Sequence, residues 1–239
     1  FYFVGIGGIG MSAIARYFYA ENKNVLGYDK TETKLTLKLK EEGITISFVD
    51  EISEEIKALN AEETLIIYTP AIKNLKILEY FNENNFTVLK RAKVLGLITE
   101  HTECIAIAGT HGKTTTSTLV AHLCKEANLP FSAFLGGISE NFQSNFFHSG
   151  NQYSVVEADE YDRSFLSLFP DWAIITSTDG STWTSESSGV SSAFYSITYA
   201  NGKYITVGEG GIILTSTNGN TWISESSGVS NVFLRGITY

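Results

Sequence analysis

The chain has 239 residues, enough for one large or two modest domains with real cores, and carries a formal net charge of -9 with a pI near 5.0. No stretch concentrates Lys and Arg into a basic stripe, which argues against nucleic acid as a partner. No apolar run approaches the roughly 18 residues that span a bilayer, so no membrane partner is expected. The only cysteines, Cys104 and Cys124, sit in an apolar run and a helical pattern, and read as reduced thiols of a cytoplasmic protein. The opening Phe1-Tyr2-Phe3-Val4 reads as a strand rather than a signal peptide, and the lack of an initiator Met suggests a trimmed start.

In chain order, short apolar strands are predicted at 2–5, 25–28, 44–48, 65–68 and 87–89, with helices in the gaps. Leu35, Leu37 and Leu39 break a clean helical stripe, yet propensity and a charged surface favour a helix over 34–42. A second α/β unit follows, with a strand at 104–108, a helix over 113–127, and strands near 131–135, 154–157 and 172–175. This alternation predicts parallel sheets covered on both faces. The expected plan is a Rossmann-like domain over 1–90, a linker over 91–103 and a P-loop α/β domain over 104–175. Beyond Ile175 the composition turns to Ser, Thr, Gly and aromatics, predicting an antiparallel all-β repeat tail over 176–239.

Gly5-Ile6-Gly7-Gly8-Ile9-Gly10 follows the first strand and opens a helix. Such glycines let backbone N–H groups approach a diphosphate at a helix N-terminus; the pattern also fits an ordinary tight strand-to-helix turn. Asp29 ends the second strand, where a carboxylate can meet a ribose hydroxyl. Ala108-Gly109-Thr110-His111-Gly112-Lys113-Thr114-Thr115-Thr116 is the stronger signal. A phosphate loop needs converging amides, an ammonium for the β and γ oxygens and a hydroxyl for Mg²⁺, and Lys113 and Thr114 supply the last two. Ile107 stands where the strict pattern has Gly, so the loop is a variant. His111 either touches phosphate or only shapes the turn. His101, His122 and His148 lack partners at metal-ligand spacing. In Val155-Val156-Glu157-Ala158-Asp159-Glu160-Tyr161-Asp162, the carboxylate that ends the strand, Glu157, is the expected Mg²⁺ ligand, and the others read as a solvated acidic turn.

These motifs, with Met11-Ser12, Ala71-Ile72, Arg91-Ala92, Leu135-Gly136-Gly137 and Arg163-Ser164-Phe165-Leu166, resemble the Mur ligase family over residues 1–175. Within it, Gly-Ile-Gly-Gly-Ile-Gly-Met-Ser points to the branch that joins L-alanine to UDP-N-acetylmuramate rather than the one that recycles murein peptides. The resemblance implies that the first domain grips the UDP part of the substrate through Gly5, Gly7, Gly8, Gly10 and Asp29, with Gly136 and Gly137 near the sugar nucleotide. It implies ATP on Gly109, Thr110, His111, Gly112, Lys113, Thr114 and Thr115, with Lys113 catalytic and Mg²⁺ on Thr114 and Glu157. The implied reaction is phosphoryl transfer from ATP to the muramic acid carboxylate, then attack of L-alanine on the acyl phosphate, part of cell-wall peptidoglycan synthesis.

The resemblance stops after Ile175, inside the ATP domain, so the chain is expected to be inactive alone, or a nucleotide-binding remnant. Thr176-Ser177-Thr178-Asp179-Gly180-Ser181-Thr182-Trp183 recurs 39 residues later as Thr215-Ser216-Thr217-Asn218-Gly219-Asn220-Thr221-Trp222. This tail resembles Asp-box repeats of sialidase-like propellers, in which the turn is structural, so Asp179 is not read as a catalytic acid. No His lies in the tail to serve one of its serines as a base. The expected reading is a chimera joined near Ile175, whose tail, an incomplete propeller, is a candidate module for a protein partner.

Overall fold

A computed structural model describes residues 1–70, 72, 75–109, 112–158, 167–175, 194–200, 202–217, 221–234 and 236–237. The chain divides into two compact units, Phe1–Ser181 and Thr182–Tyr239.

The first unit holds two sheets. The first sheet contains β1 (Tyr2–Val4), β2 (Leu26–Tyr28), β3 (Thr45–Ser47), β4 (Leu65–Tyr68) and β5 (Thr87–Lys90), all parallel in the order β3-β2-β1-β4-β5. The order reverses between β1 and β4, which opens a crevice beyond the carboxyl ends of those strands. Helices α1 (Ile9–Ala20), α2 (Lys34–Glu41), α3 (Glu54–Lys57) and α4 (Lys76–Glu83) connect the strands. The predicted helix over 34–42 is therefore present. Thr33 caps it, its Oγ1 accepting from Thr36 N at 3.2 Å while Thr36 Oγ1 accepts from Thr33 N at 2.8 Å. Its leucines do not share one face: Leu39 is buried and Leu37 exposed. Asn22 and Asn85 follow α1 and α4 with φ of 57° and 59°, the left-handed conformation in which Asn commonly ends a helix.

Helix α5 (Arg91–Thr99) leads to the second sheet, built from β6 (Glu103–Ala108), β7 (Phe131–Ser139), β8 (Ser144–His148), β9 (Tyr153–Glu157) and β10 (Trp172–Ile175) in the order β10-β6-β9-β7-β8. Four strands are parallel and β8 pairs antiparallel with β7. β8 was not anticipated, because Ser144-Asn145-Phe146-Phe147-His148 is short and does not alternate cleanly. Helix α6 (Lys113–Glu126) follows β6.

Three apolar clusters explain this arrangement. Tyr2, Val4, Ile66, Ile77 and Phe81 fill one face of the first sheet, and Ile107, Ala121, Phe131, Ala133 and Val155 one face of the second. The third cluster runs between the sheets: Phe3, Met11, Ile14 and Ile67 meet Val94, Leu95, Phe134, Phe146 and Val156. Each fully buried side chain of this kind contributes about 1.5–3 kcal/mol relative to exposure, so the shared cluster holds both sheets in one unit.

The second unit is an antiparallel meander of β11 (Phe194–Ala200), β12 (Lys203–Gly208), β13 (Ile213–Ser216) and β14 (Ile223–Glu225), in keeping with the antiparallel tail expected from the sequence. Val207 and Leu214 are buried in it, and Thr215 Oγ1 donates to the Glu225 carboxylate at 2.8 Å. The first copy of the repeated octapeptide, Asp179 included, lies outside the described residues, as do 218–220 of the second.

Candidate functional site

Two glycine loops leave the carboxyl ends of central strands. The first, 5–10, follows β1. Gly5 has φ 88°, a conformation an L side chain strongly disfavours, and its N–H donates to Tyr28 O at 2.8 Å, turning the chain back beside β2. Gly8 is the N-cap of α1 and no side chain caps the helix there, so no cap takes up the first amides of the helix. Asp29 turns out to brace this loop: its Oδ2 accepts from Gly7 N at 2.7 Å and its Oδ1 from Thr31 N at 3.1 Å. Arg91 lies against Gly10, with its Nη1 2.8 Å from where a Cβ would stand. A guanidinium thus packs on the first turn of α1, adding positive charge at the helix end that already favours anions.

The second loop joins β6 to α6. Gly109 and Gly112 have φ of 123° and 78°, and Lys113 Nζ donates to Gly109 O at 2.6 Å, so the ammonium lies over the loop. Thr110 and His111 fall outside the described residues. Thr115 is exposed on the first turn of α6.

Beside this loop, Glu157 at the end of β9 collects three donors. Its carboxylate accepts from Thr114 Oγ1 at 3.3 Å, from Ser117 Oγ at 2.8 Å and from Gly136 N at 2.8 Å. A Cβ at Gly136 would come within 2.3 Å of Glu157 Oε2, so a side chain there would displace that carboxylate. Gly137 approaches Thr114, its Cβ position 3.3 Å from Thr114 Cγ2. The strand order β6-β9-β7 thus brings together Thr114, Glu157 and Gly136, which are far apart in sequence. A hydroxyl and a carboxylate are the hard oxygen donors that Mg²⁺ accepts, usually with waters completing its shell. Glu157 held by two further donors is fixed rather than free to swing. Ser117 was missed in the sequence, although it lies three residues after Thr114 and so on the same helix face.

Other titratable groups serve structure. Both cysteines are buried and unpaired with each other, and burial pushes the Cys104 thiol up to about 11. His148 Nδ1 lies 2.9 Å from Ser132 Oγ and its Nε2 3.4 Å from Glu21. Ser132 is buried, which bars a nucleophilic role. Among the described residues no cluster of three His, Cys, Asp or Glu could hold a metal, and no helix is long and apolar enough to cross a membrane.

A family model, described as Mur ligase family, catalytic domain, matches residues 1–103. UDP-N-acetylmuramate--L-alanine ligase of Christiangramia forsetii is 53% identical over 182 residues, covering 75% of this chain and 40% of that protein. The α/β unit of this chain is similar to Mur ligases, and the family match itself covers residues 1–103. The enzyme of the same description from Porphyromonas gingivalis is 54% identical over 181 residues, covering 74% of this chain and 40% of that protein. Among solved structures, UDP-N-acetylmuramate-alanine ligase of Thermotoga maritima is 34% identical with a TM-score of 0.65, covering 75% of this chain and 41% of that one. A murein peptide ligase of Psychrobacter arcticus, 24% identical with a TM-score of 0.64 over 73% of this chain and 42% of its own, shares the fold. The chain spans about 40% of the length of these Mur ligase relatives.

Proposed function

We propose that this chain supplies the sugar-nucleotide and ATP sites of a cytoplasmic, ATP-dependent Mur ligase that joins L-alanine to UDP-N-acetylmuramate. The reading assigns residues 1–90 to the UDP-linked substrate and 104–175 to ATP. The observation that carries it is the convergence on Glu157 of Thr114, Ser117 and Gly136 beside the Gly109–Lys113 loop.

In this reading the first turn of α1, from Gly10 onward, takes the diphosphate, and Asp29, which holds the Gly7 N–H, fixes the shape of the loop. Lys113 leaves the Gly109 carbonyl to neutralise phosphate oxygens. Thr114 and Glu157 would hold Mg²⁺, which when bound would offset charge on the phosphates. The γ-phosphoryl group passes from ATP to the muramic acid carboxylate, leaving ADP, and the L-alanine amine then attacks the acyl carbon, forming the amide and releasing inorganic phosphate. Phosphoryl transfer asks mainly for alignment and charge neutralisation, and the chain offers fixed amides, one ammonium and a rigid carboxylate for both. For the tail the proposal is a propeller-like repeat that contacts a protein partner, on which Ile223, Val229 and Phe233 are exposed.

Calorimetry with ATP and Mg²⁺ tests the site. Lys113→Ala is expected to weaken binding by about ten- to hundredfold, the loss of charge-assisted phosphate contacts. UDP-N-acetylmuramate is expected to bind independently of that substitution, and ADP release with both substrates and L-alanine reads turnover. Failure of the unsubstituted chain to bind either ligand rules the reading out.

A further inference from the structure

We propose that Asn145 is a positioning residue for the sugar-nucleotide site, a buried amide that fixes the first turn of α1 to the β7–β8 pair. The inference rests on the functional reading above and extends it to a residue outside both glycine loops.

Asn145 lies on β8 and is fully buried. Its Nδ2 donates both hydrogens into the first turn of α1, to Ile9 O at 2.6 Å and to Ser12 Oγ at 2.9 Å. Ser12, also fully buried, donates in turn to Ile9 O at 2.9 Å. The remaining group of the amide, Oδ1, accepts from the Arg16 guanidinium, which is one turn further along α1 and bonded to Glu42 through Nε at 2.6 Å and Nη2 at 3.0 Å. The amide's two donors and its acceptor are all used, as a buried amide requires.

Apolar packing alone would let α1 slide or roll by a fraction of a turn against the second sheet, because such contacts are non-directional. Two donations from one planar amide to two atoms of one turn fix its axial position. A second attachment acts at the other end of the helix, where Asn151 Nδ2 donates to Glu21 Oε1 at 2.8 Å and His148 Nε2 approaches the same oxygen. Between them Tyr17 packs on Phe134 and Phe146. The strand that β8 pairs with is β7, and β7 carries Gly136 onto Glu157. One amide therefore sets the height of the Gly5–Gly10 loop relative to the strand pair that shapes the Glu157 site. Asp at 145 lacks the donors and Leu lacks every polar contact, so neither reproduces the arrangement.

The test is calorimetry on the whole chain with UDP-N-acetylmuramate and, separately, with ATP and Mg²⁺, comparing the unsubstituted protein with Asn145→Leu. The expected result is about tenfold weaker UDP-N-acetylmuramate binding, with ATP affinity within about twofold. A merely structural role would lower thermal stability and leave both affinities unchanged, or weaken both alike, and either outcome overturns the proposal. Should Asn145→Leu not fold, Ser12→Ala removes one of the two acceptors and is judged by the same contrast. Hydrogen exchange of the Gly7–Ser12 amides separates this inference from the functional reading, since it needs no ligand. Faster exchange confined to those amides supports positioning even if the unsubstituted chain binds no sugar nucleotide, and unchanged exchange, or exchange faster throughout the chain, refutes it.

Discussion

Gly136 shows how one missing side chain shapes a site. Its N–H donates to Glu157 Oε1 at 2.8 Å, and a methyl group would stand 2.3 Å from the other carboxylate oxygen. Gly136→Ala is expected to push Glu157 away from Thr114 and remove most of the gain in ATP affinity that Mg²⁺ confers, while affinity in EDTA stays near that of the unsubstituted chain. Calorimetry with and without the cation checks this, and an undiminished Mg²⁺ effect would mean that Glu157 is not the ligand. The residues of both glycine loops were legible in the sequence because loop chemistry is local: amides, an ammonium and a hydroxyl within a few positions. The close approach of Gly136 to Glu157 was not legible, since it depends on two strands meeting side by side. The sequence placed Asp29 at the end of the second strand, suited to a ribose hydroxyl, whereas in the structure its carboxylate accepts from Gly7 N–H.

Helix boundaries were set by short-range signals. Thr33 and Thr36 form a reciprocal cap at the start of α2, and Asn128 follows α6 with φ 54°, as Asn22 follows α1. Thr33→Ala is expected to cost about 1 kcal/mol, read as a lower urea midpoint with an unchanged slope. No change at all would show that the cap is replaced by water. The strand β8 lacked such signals. Its buried Asn145 breaks the apolar pattern by which a strand is recognised, and that amide has partners only because α1 packs against it.

Across the whole molecule, buried acids that hold their protons link stability to pH. Burial raises Cys104 to about 11 and also raises Tyr2, Tyr17 and Tyr28, with neighbouring carboxylates adding to the tyrosine shifts. The folded chain keeps protons that the unfolded chain releases. Stability is therefore fully present below the ordinary thiol range and falls as pH rises from there through about 11. Urea midpoints from pH 8 to pH 11 should decline, and Cys104→Ala should decline less steeply; equal slopes would discharge Cys104 from the effect. At this scale the sequence by itself determined the α/β class, the all-β tail, the two loops and the family resemblance they carry, because periodicity and loop chemistry are written in neighbouring residues. Only the tertiary structure decided that the two sheets share one core, that Thr114, Ser117, Gly136 and Glu157 meet, and that Asn145 ties α1 to β8. Those contacts join segments from 21 to 136 positions apart. Their geometry depends on strand order and helix packing, which neighbouring residues do not encode.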